Sequence, residues 1–194
     1  HLGVRRQRQM CIRDREKLLE LAKAGFSPSG LNAFVKDGYA FYKRYLLGLR
    51  EEDELETYFS HKTYGTLTHN CLEALYMPYV GKQLSQSDCK DMIDRVDTVA
   101  DEMVKLEHPQ NISGKNVLAL AAIKRNIQNI IAHEQGEIVA GNVIEIVALE
   151  QKLSMTQTVP GIEGPVTFKG TVDRVDKYNG TCLLYTSPSP RDLS

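Results

Sequence analysis

The chain has 194 residues, 42% of them hydrophobic and 25% charged, with a formal net charge of −1. That length and apolar content suffice for one domain with a buried core, and the near balance of charge gives no global attraction to phosphate. No apolar run approaches the roughly 18 to 20 residues of a membrane span and no apolar stretch follows the N-terminal arginines, so the expected compartment is the cytoplasm.

The first segment, Arg5 to Arg15, reads RRQRQMCIRDR, a basic run without apolar period. The last, Cys182 to Asp192, reads CLLYTSPSPRD and leaves a strand pattern for Ser-Pro repeats. The codons CAG ATG TGT ATA AGA GAC AG(A/G) encode Gln9 to Arg15, and their reverse complement, read one base along, encodes Cys182 to Ser187. Two ends of one natural gene have no physical reason to be reverse complements, and both stretches resemble translated transposase-adapter sequence. The expected organisation is therefore a foreign arm at 1–15, a partial domain at 16–181 and a foreign tail at 182–194. Setting the two ends aside leaves 18 basic against 23 acidic residues, a net charge of −5. Contact with DNA then requires a local basic patch and a bound cation.

Within residues 16–181, Ser27-Pro28-Ser29 signals a helix start, with Ser27 as N-cap and proline at the first helical position. Leu31, Phe34, Val35, Tyr39, Phe41, Tyr42, Tyr45 and Leu46 follow at helical spacing, interrupted at Gly38 and ended at Gly48, which predicts two short aromatic-rich helices. Arg50 to Glu56 reads as an acidic linker. A helix is expected over Thr63 to Tyr79, with Leu67, Cys71, Leu72 and Leu75 on one face, closed by Pro78 and Gly81. Ser87 to Glu107 is amphipathic, and Ser113 to Glu134 is a longer, more apolar helix followed by Gly136. From Asn142 the period changes to that of strands: Val143 to Leu149, a turn at Gly161 and Gly164-Pro165, Val166 to Val175, then the hairpin signal Asn179-Gly180 before a third strand. Cys11, Cys71, Cys89 and Cys182 form no C-x-x-C pair or Cys/His cluster and read as free thiols.

Taken alone, Asp173 and Asp176 are acidic residues near a strand end, more often solvated or paired with a neighbour such as Arg174 than catalytic. The order of four segments changes their weight. SPSGLNAFVKDGYAFYKRYLLGLREED (Ser27 to Asp53), YGTLTHNCLEALY (Tyr64 to Tyr76), ALEQKLSM (Ala148 to Met155) and VTFKGTVDRVDKYNG (Val166 to Gly180) together resemble the RecB-like PD-(D/E)XK nuclease family. The resemblance implies an α+β, restriction-endonuclease-like fold: a helical N-terminal half followed by an incomplete mixed β-sheet core. It also implies a DNA nuclease belonging to a helicase-nuclease of double-strand-break repair, with DNA and a helicase subunit or helicase domain as partners. The competing expectation is an inactive relative that holds DNA or a helicase.

The resemblance assigns roles residue by residue. Gly65-Thr66-Leu67-Thr68-His69 is similar to the family's Gly-Thr-x-x-His helix, whose His lies beside the metal; His61, His108 and His133 match no motif. Asp173, in Gly-x-x-Asp-Arg-x-Asp, resembles the first catalytic aspartate, so His69 and Asp173 are the expected catalytic and metal-ligating pair. A hard cation, Mg²⁺ or Mn²⁺, prefers such oxygen ligands and activates water and phosphate. The donor atoms of the pair are expected within roughly 8 Å without metal. Glu150 resembles a Glu on the first core strand, which either orients a neighbour or pairs with a base. Arg174 either contacts phosphate or forms a structural salt bridge, and Asp176 supports the site. Many relatives carry Cys-Pro near the position of Asp37-Gly38, in some as an iron–sulfur ligand; here it is absent and no cluster is expected. The family's next motif, Asp-Tyr-Lys-Thr-Gly on the third strand, is replaced by Leu184-Tyr185-Thr186-Ser187, so the chain as it stands is expected to be inactive.

Overall fold

A computed structural model describes residues 14–49, 58–108, 113–162 and 164–185. The expected acidic linker, most of both expected foreign ends, and Cys11 lie outside them. In chain order the elements are α1 (Pro28–Lys36), α2 (Gly38–Phe41), a π-helical turn (Tyr42–Leu46), α3 (His61–Tyr76), a 3₁₀ turn (Met77–Tyr79), β1 (Lys82–Gln83), α4 (Gln86–Glu107), α5 (Lys115–Val139), β2 (Ile144–Thr158), β3 (Pro165–Tyr178) and β4 (Thr181–Tyr185). Residues 14–24 are also helical. This is the α+β architecture expected, helices first and sheet second, with a four-stranded antiparallel sheet in the order β1-β2-β3-β4.

The chain divides into two compact units, one formed by His1–Asp53 with Lys152–Thr171 and the other by Glu54–Gln151 with Val172–Ser194. In the first, Ser27 caps α1 by accepting from the Gly30 amide, with Pro28 in the first turn, as the sequence signal requires. Gly38 opens α2 rather than merely breaking a helix, because the Asp37 carboxylate accepts from the Tyr39 and Ala40 amides and starts a new turn. Phe26 forms a parallel bridge with Phe168, and Lys169 Nζ donates to the Ala24 carbonyl. Gly25 makes this approach possible: its φ is +106°, and a Cβ would lie 3.0 Å from the Lys169 side chain.

The second unit holds the main core. Leu67, Cys71 and Leu75 of α3, Met92 and Val96 of α4, and Ile123, Ile127 and Ile131 of α5 pack with Ile144 and Ile146 of β2. Each helix contributes residues three or four apart, so one buried stripe per helix builds the bundle. Ser85 and Asp88 form a reciprocal capping box on α4. α5 runs through Gly136 to Val139, since a glycine inside a helix costs only about 1 kcal/mol and terminates nothing by itself. The two-residue β1, absent from the sequence reading, pairs antiparallel with β2 through Lys82 and Gln83.

β2 extends well beyond the expected Val143 to Leu149 run, to Thr158, because the exposed residues after Leu149 continue the ladder without an apolar pattern. The β3–β4 hairpin turns at Asn179 and Gly180, with φ of 49° and 87°, the left-handed pair that such a two-residue turn demands. Asn179 also fixes the hairpin to the start of β2: its side chain accepts from the Val143 amide and its own amide donates to the Val143 carbonyl. The expected boundaries fall inside elements, since the 14–24 helical segment crosses residue 15 and β4 crosses residue 182. Arg-Glu-Lys-Leu-Leu is helix-forming and Cys-Leu-Leu-Tyr is compatible with an apolar strand, so neither stretch resists its conformation.

Candidate metal centre

The site lies wholly in the second unit. α3 starts where the Ser60 hydroxyl accepts from the Thr63 amide, and the helix then presents two faces. Leu67, Cys71 and Leu75 turn into the core, while Lys62, Thr66, His69, Glu73 and Tyr76, at alternating spacings of four and three, line a cleft of about 1460 Å³. α5 supplies another wall with Asn126, Asn129, His133 and Glu137. Asp173, Arg174, Asp176 and Tyr178 of β3 and Leu183 and Tyr185 of β4 complete it.

His69 sits between two carboxylates. Its Nε2 lies 2.8 Å from Glu150 Oε1, and its Nδ1 lies 4.0 Å from Asp173 Oδ2. The two sequence-singled residues His69 and Asp173, about a hundred positions apart, are thus brought together within the roughly 8 Å expected of a site without metal. One ligand atom each from His69, Glu73 and Glu150 lies within 4.8 Å of the others. Glu73 escaped the sequence reading, although its position one helical turn after His69 puts both on one face.

Glu150 carries two unusual features. Its φ is +49°, a left-handed conformation that costs a non-glycine residue on the order of 1–2 kcal/mol. Glu150 Oε1 is shut from solvent, and the group that meets it is His69 Nε2 at 2.8 Å. A buried carboxylate oxygen is expensive unless something electropositive meets it. One imidazole nitrogen and two or three carboxylates are donors suited to a divalent cation of mixed nitrogen and oxygen preference, so the residues present fit a metal.

Behind this group is a buried clamp. Arg174 donates from Nε to Asp176 Oδ1 and pairs through Nη2 with Asp176 Oδ2 at 2.6 Å, while Nη1 donates to Glu134 Oε1 at 2.7 Å. Its guanidinium also lies over the Tyr76 ring, 4.2 Å from the centroid, and the Tyr76 hydroxyl donates to Glu134 Oε2. Asp176 is only 2% exposed. Burial works against the charge on Arg174, but the Asp176 hydrogen bond and the Glu134 charge outweigh it and hold its pKa above the ordinary value. Burial, reinforced by the Glu134 charge, pushes the Tyr76 phenol well above its usual range. Of the alternatives open for Arg174 and Asp176, the geometry is that of a structural ion pair. It locks β3 to α3 and α5 one residue away from Asp173.

β4 contributes no acid and no lysine. Its pairing, Arg174 with Tyr185 and Asp176 with Leu183, puts those two side chains on the cleft, while Leu184 opposite Val175 does not line it.

A helical bundle against an antiparallel sheet gathers a histidine and several carboxylates at one cleft, a donor set that could hold a divalent cation. The family model of the PD-(D/E)XK nuclease superfamily matches residues 25–185, and the chain belongs to that superfamily of metal-dependent nucleases. A search of curated proteins found no match. Among the described residues no helix is long and apolar enough to cross a membrane.

Proposed function

We propose that the second unit is the cation-binding half of a DNA phosphodiesterase site, with His69, Glu73, Glu150 and Asp173 as its donors. The observation that carries this reading is the gathering of one ligand atom each from His69, Glu73 and Glu150 within 4.8 Å of one another, with Asp173 Oδ2 4.0 Å from His69 Nδ1. A bound Mg²⁺ or Mn²⁺ would polarise a phosphoryl oxygen and lower the pKa of the attacking water. The protein's own part is positional. Glu150 and Asp173 approach opposite nitrogens of His69 and fix the imidazole plane, Glu73 presents its carboxylate from the next helical turn, and the Arg174 clamp holds β3 in register.

The finer reading is a RecB-like nuclease of a helicase-nuclease that processes double-strand breaks in the cytoplasm, with a helicase as partner. It is supported by the segment order from Ser27 to Gly180 alone. The adapter reading of residues 1–15 and 182–194 is likewise supported by their reciprocal codons. It accounts for a β4 that carries neither acid nor lysine; the residues of β4 that line the cleft are Leu183 and Tyr185, so the expected alignment of Leu184 with the family's acid is off by one position. The chain as it stands therefore binds cation but cleaves DNA poorly.

Isothermal titration with Mn²⁺ tests the first part: His69→Ala and Glu150→Gln should each weaken binding about 10- to 100-fold. For the second part, Leu183→Asp with Tyr185→Lys should raise Mn²⁺-dependent cleavage of labelled DNA, and adding Asp173→Ala should abolish the gain. Robust cleavage by the unaltered chain, lost in Asp173→Ala, would sink the account of β4. Cation binding with DNA retention but no cleavage in the double variant would favour the inactive, DNA-holding relative.

A further inference from the structure

The cleft of the second unit is poor in available positive charge. Glu73, Glu134, Glu137, Asp173 and Asp176 outnumber Lys62 and Arg174 along it, and Arg174 is committed to Glu134 and Asp176. Without a cation such a cleft repels phosphate. Any hold on nucleic acid that does not depend on metal must come from another surface.

The first unit has one with the opposite character. Between Pro28 and Leu47 it carries Lys36, Lys43 and Arg44 against the single acid Asp37, and one oxygen of that carboxylate already accepts from the Tyr39 and Ala40 amides. All three basic residues are exposed. Tyr39 is 69% and Phe34 58% exposed, too much for either ring to serve mainly as core. The cations are interleaved with rings: Lys43 Nζ lies 5.0 Å from the centroid of Tyr39 and the Arg44 guanidinium 5.8 Å from that of Tyr45. Phe41, buried, stacks on Tyr45 and meets Phe34 edge-on, which anchors this array to the unit. The residues between Tyr42 and Leu46 form a π-helical turn, a local departure from α-helix that recurs at functional sites.

We propose that this surface, centred on Tyr39, Lys43 and Arg44, is a binding site for single-stranded nucleic acid. Unpaired bases expose the π-faces that stack on tyrosine and phenylalanine, while the interleaved cations meet the phosphates. A duplex hides those faces and would leave Tyr39 and Phe34 without partners. A cation–π contact at an exposed ring is weak enough to be exchanged, so Lys43 can yield the Tyr39 face to a base and turn to phosphate. The proposal rests on the nucleic-acid reading of the chain but not on the cation site, and assays in EDTA separate the two.

The full chain is titrated in EDTA against a fluorescein-labelled single-stranded DNA of about 20 nucleotides, with anisotropy as readout, at several NaCl concentrations. Three phosphate contacts predict a log–log salt slope near −2, and Lys43→Ala with Arg44→Ala should reduce its magnitude by about 1.4. Tyr39→Ala should weaken binding about tenfold, whereas Tyr39→Phe, which keeps the ring, should bind like the unaltered chain. Circular dichroism and an unchanged urea-unfolding profile verify that Tyr39→Ala remains folded; if it does not, the Lys43 and Arg44 salt slope decides the matter. The proposal is overturned by absence of binding in EDTA, by a matched duplex binding as tightly as the single strand, or by a folded Tyr39→Ala that binds normally. It is also overturned if sedimentation shows self-association that Tyr39→Ala abolishes, since the surface would then join two copies of the chain. Loss of Mn²⁺ binding in the Glu150→Gln variant with intact single-strand binding in EDTA supports it.

Discussion

Arg174 satisfies three neighbours at once, the Asp176 carboxylate, the Glu134 carboxylate and the Tyr76 ring, and each comes from a different element. Removing one member of such a buried group leaves charge behind without compensation, so Arg174→Ala should destabilise the protein by about 3–5 kcal/mol in urea unfolding. Replacing Arg174, Asp176 and Glu134 together by apolar residues should cost much less than that single change; an equal or larger loss would show that the three charges are not the unit of stability. The buried thiols give a second test. Burial first, and then the nearby Glu107 for Cys71 and Glu134 for Cys89, push both up to about 11 from 9.0. The unfolded chain therefore releases these protons at lower pH than the folded one. Their contribution to stability is full below about pH 9 and is lost as pH rises through about 11. Urea midpoints that do not fall between about pH 8.5 and 11.5, values chosen to bracket that window, would mean that the thiols ionise equally in both states.

At the scale of elements, most local starts and stops follow from chemistry that is visible in sequence. Ser27-Pro28 opens α1 and Asn179-Gly180 turns the last hairpin because each residue satisfies a backbone geometry on its own. Ser85 adds a cap that closes both ways with Asp88, and Ser85→Ala should lower stability by about 1 kcal/mol, measured as a shift in urea midpoint at constant m. α5 and β2 ran past their expected ends for a shared reason: Gly136 and the polar residues after Leu149 weaken local preference, and the surrounding helix or ladder decides. The two-residue β1 has no local pattern to read and exists through its pairing with β2.

For the whole molecule, cation binding should be coupled to the stability of the second unit, because donors from α3, β2 and β3 are far apart in an unfolded chain. At about 100 times its dissociation constant, Mn²⁺ should add about 2.7 kcal/mol and raise the Tm, and the rise should be largely absent in Glu150→Gln. An equal rise in both proteins would place the ion elsewhere. The sequence by itself determined the helices-then-sheet order and the apolar stripes of α3, α4 and α5, because periodicity is a local property written along the chain; the pairing of His69 with Asp173 was implied only by the resemblance of the motif order to a known family. Only the tertiary structure decided that Glu73 and Glu150 join His69, that Arg174 is spent on Asp176 and Glu134, and that Leu183 and Tyr185 face the cleft. Those facts depend on which faces of distant elements meet, on strand register, and on one left-handed residue within a strand, none of which a neighbour in sequence dictates.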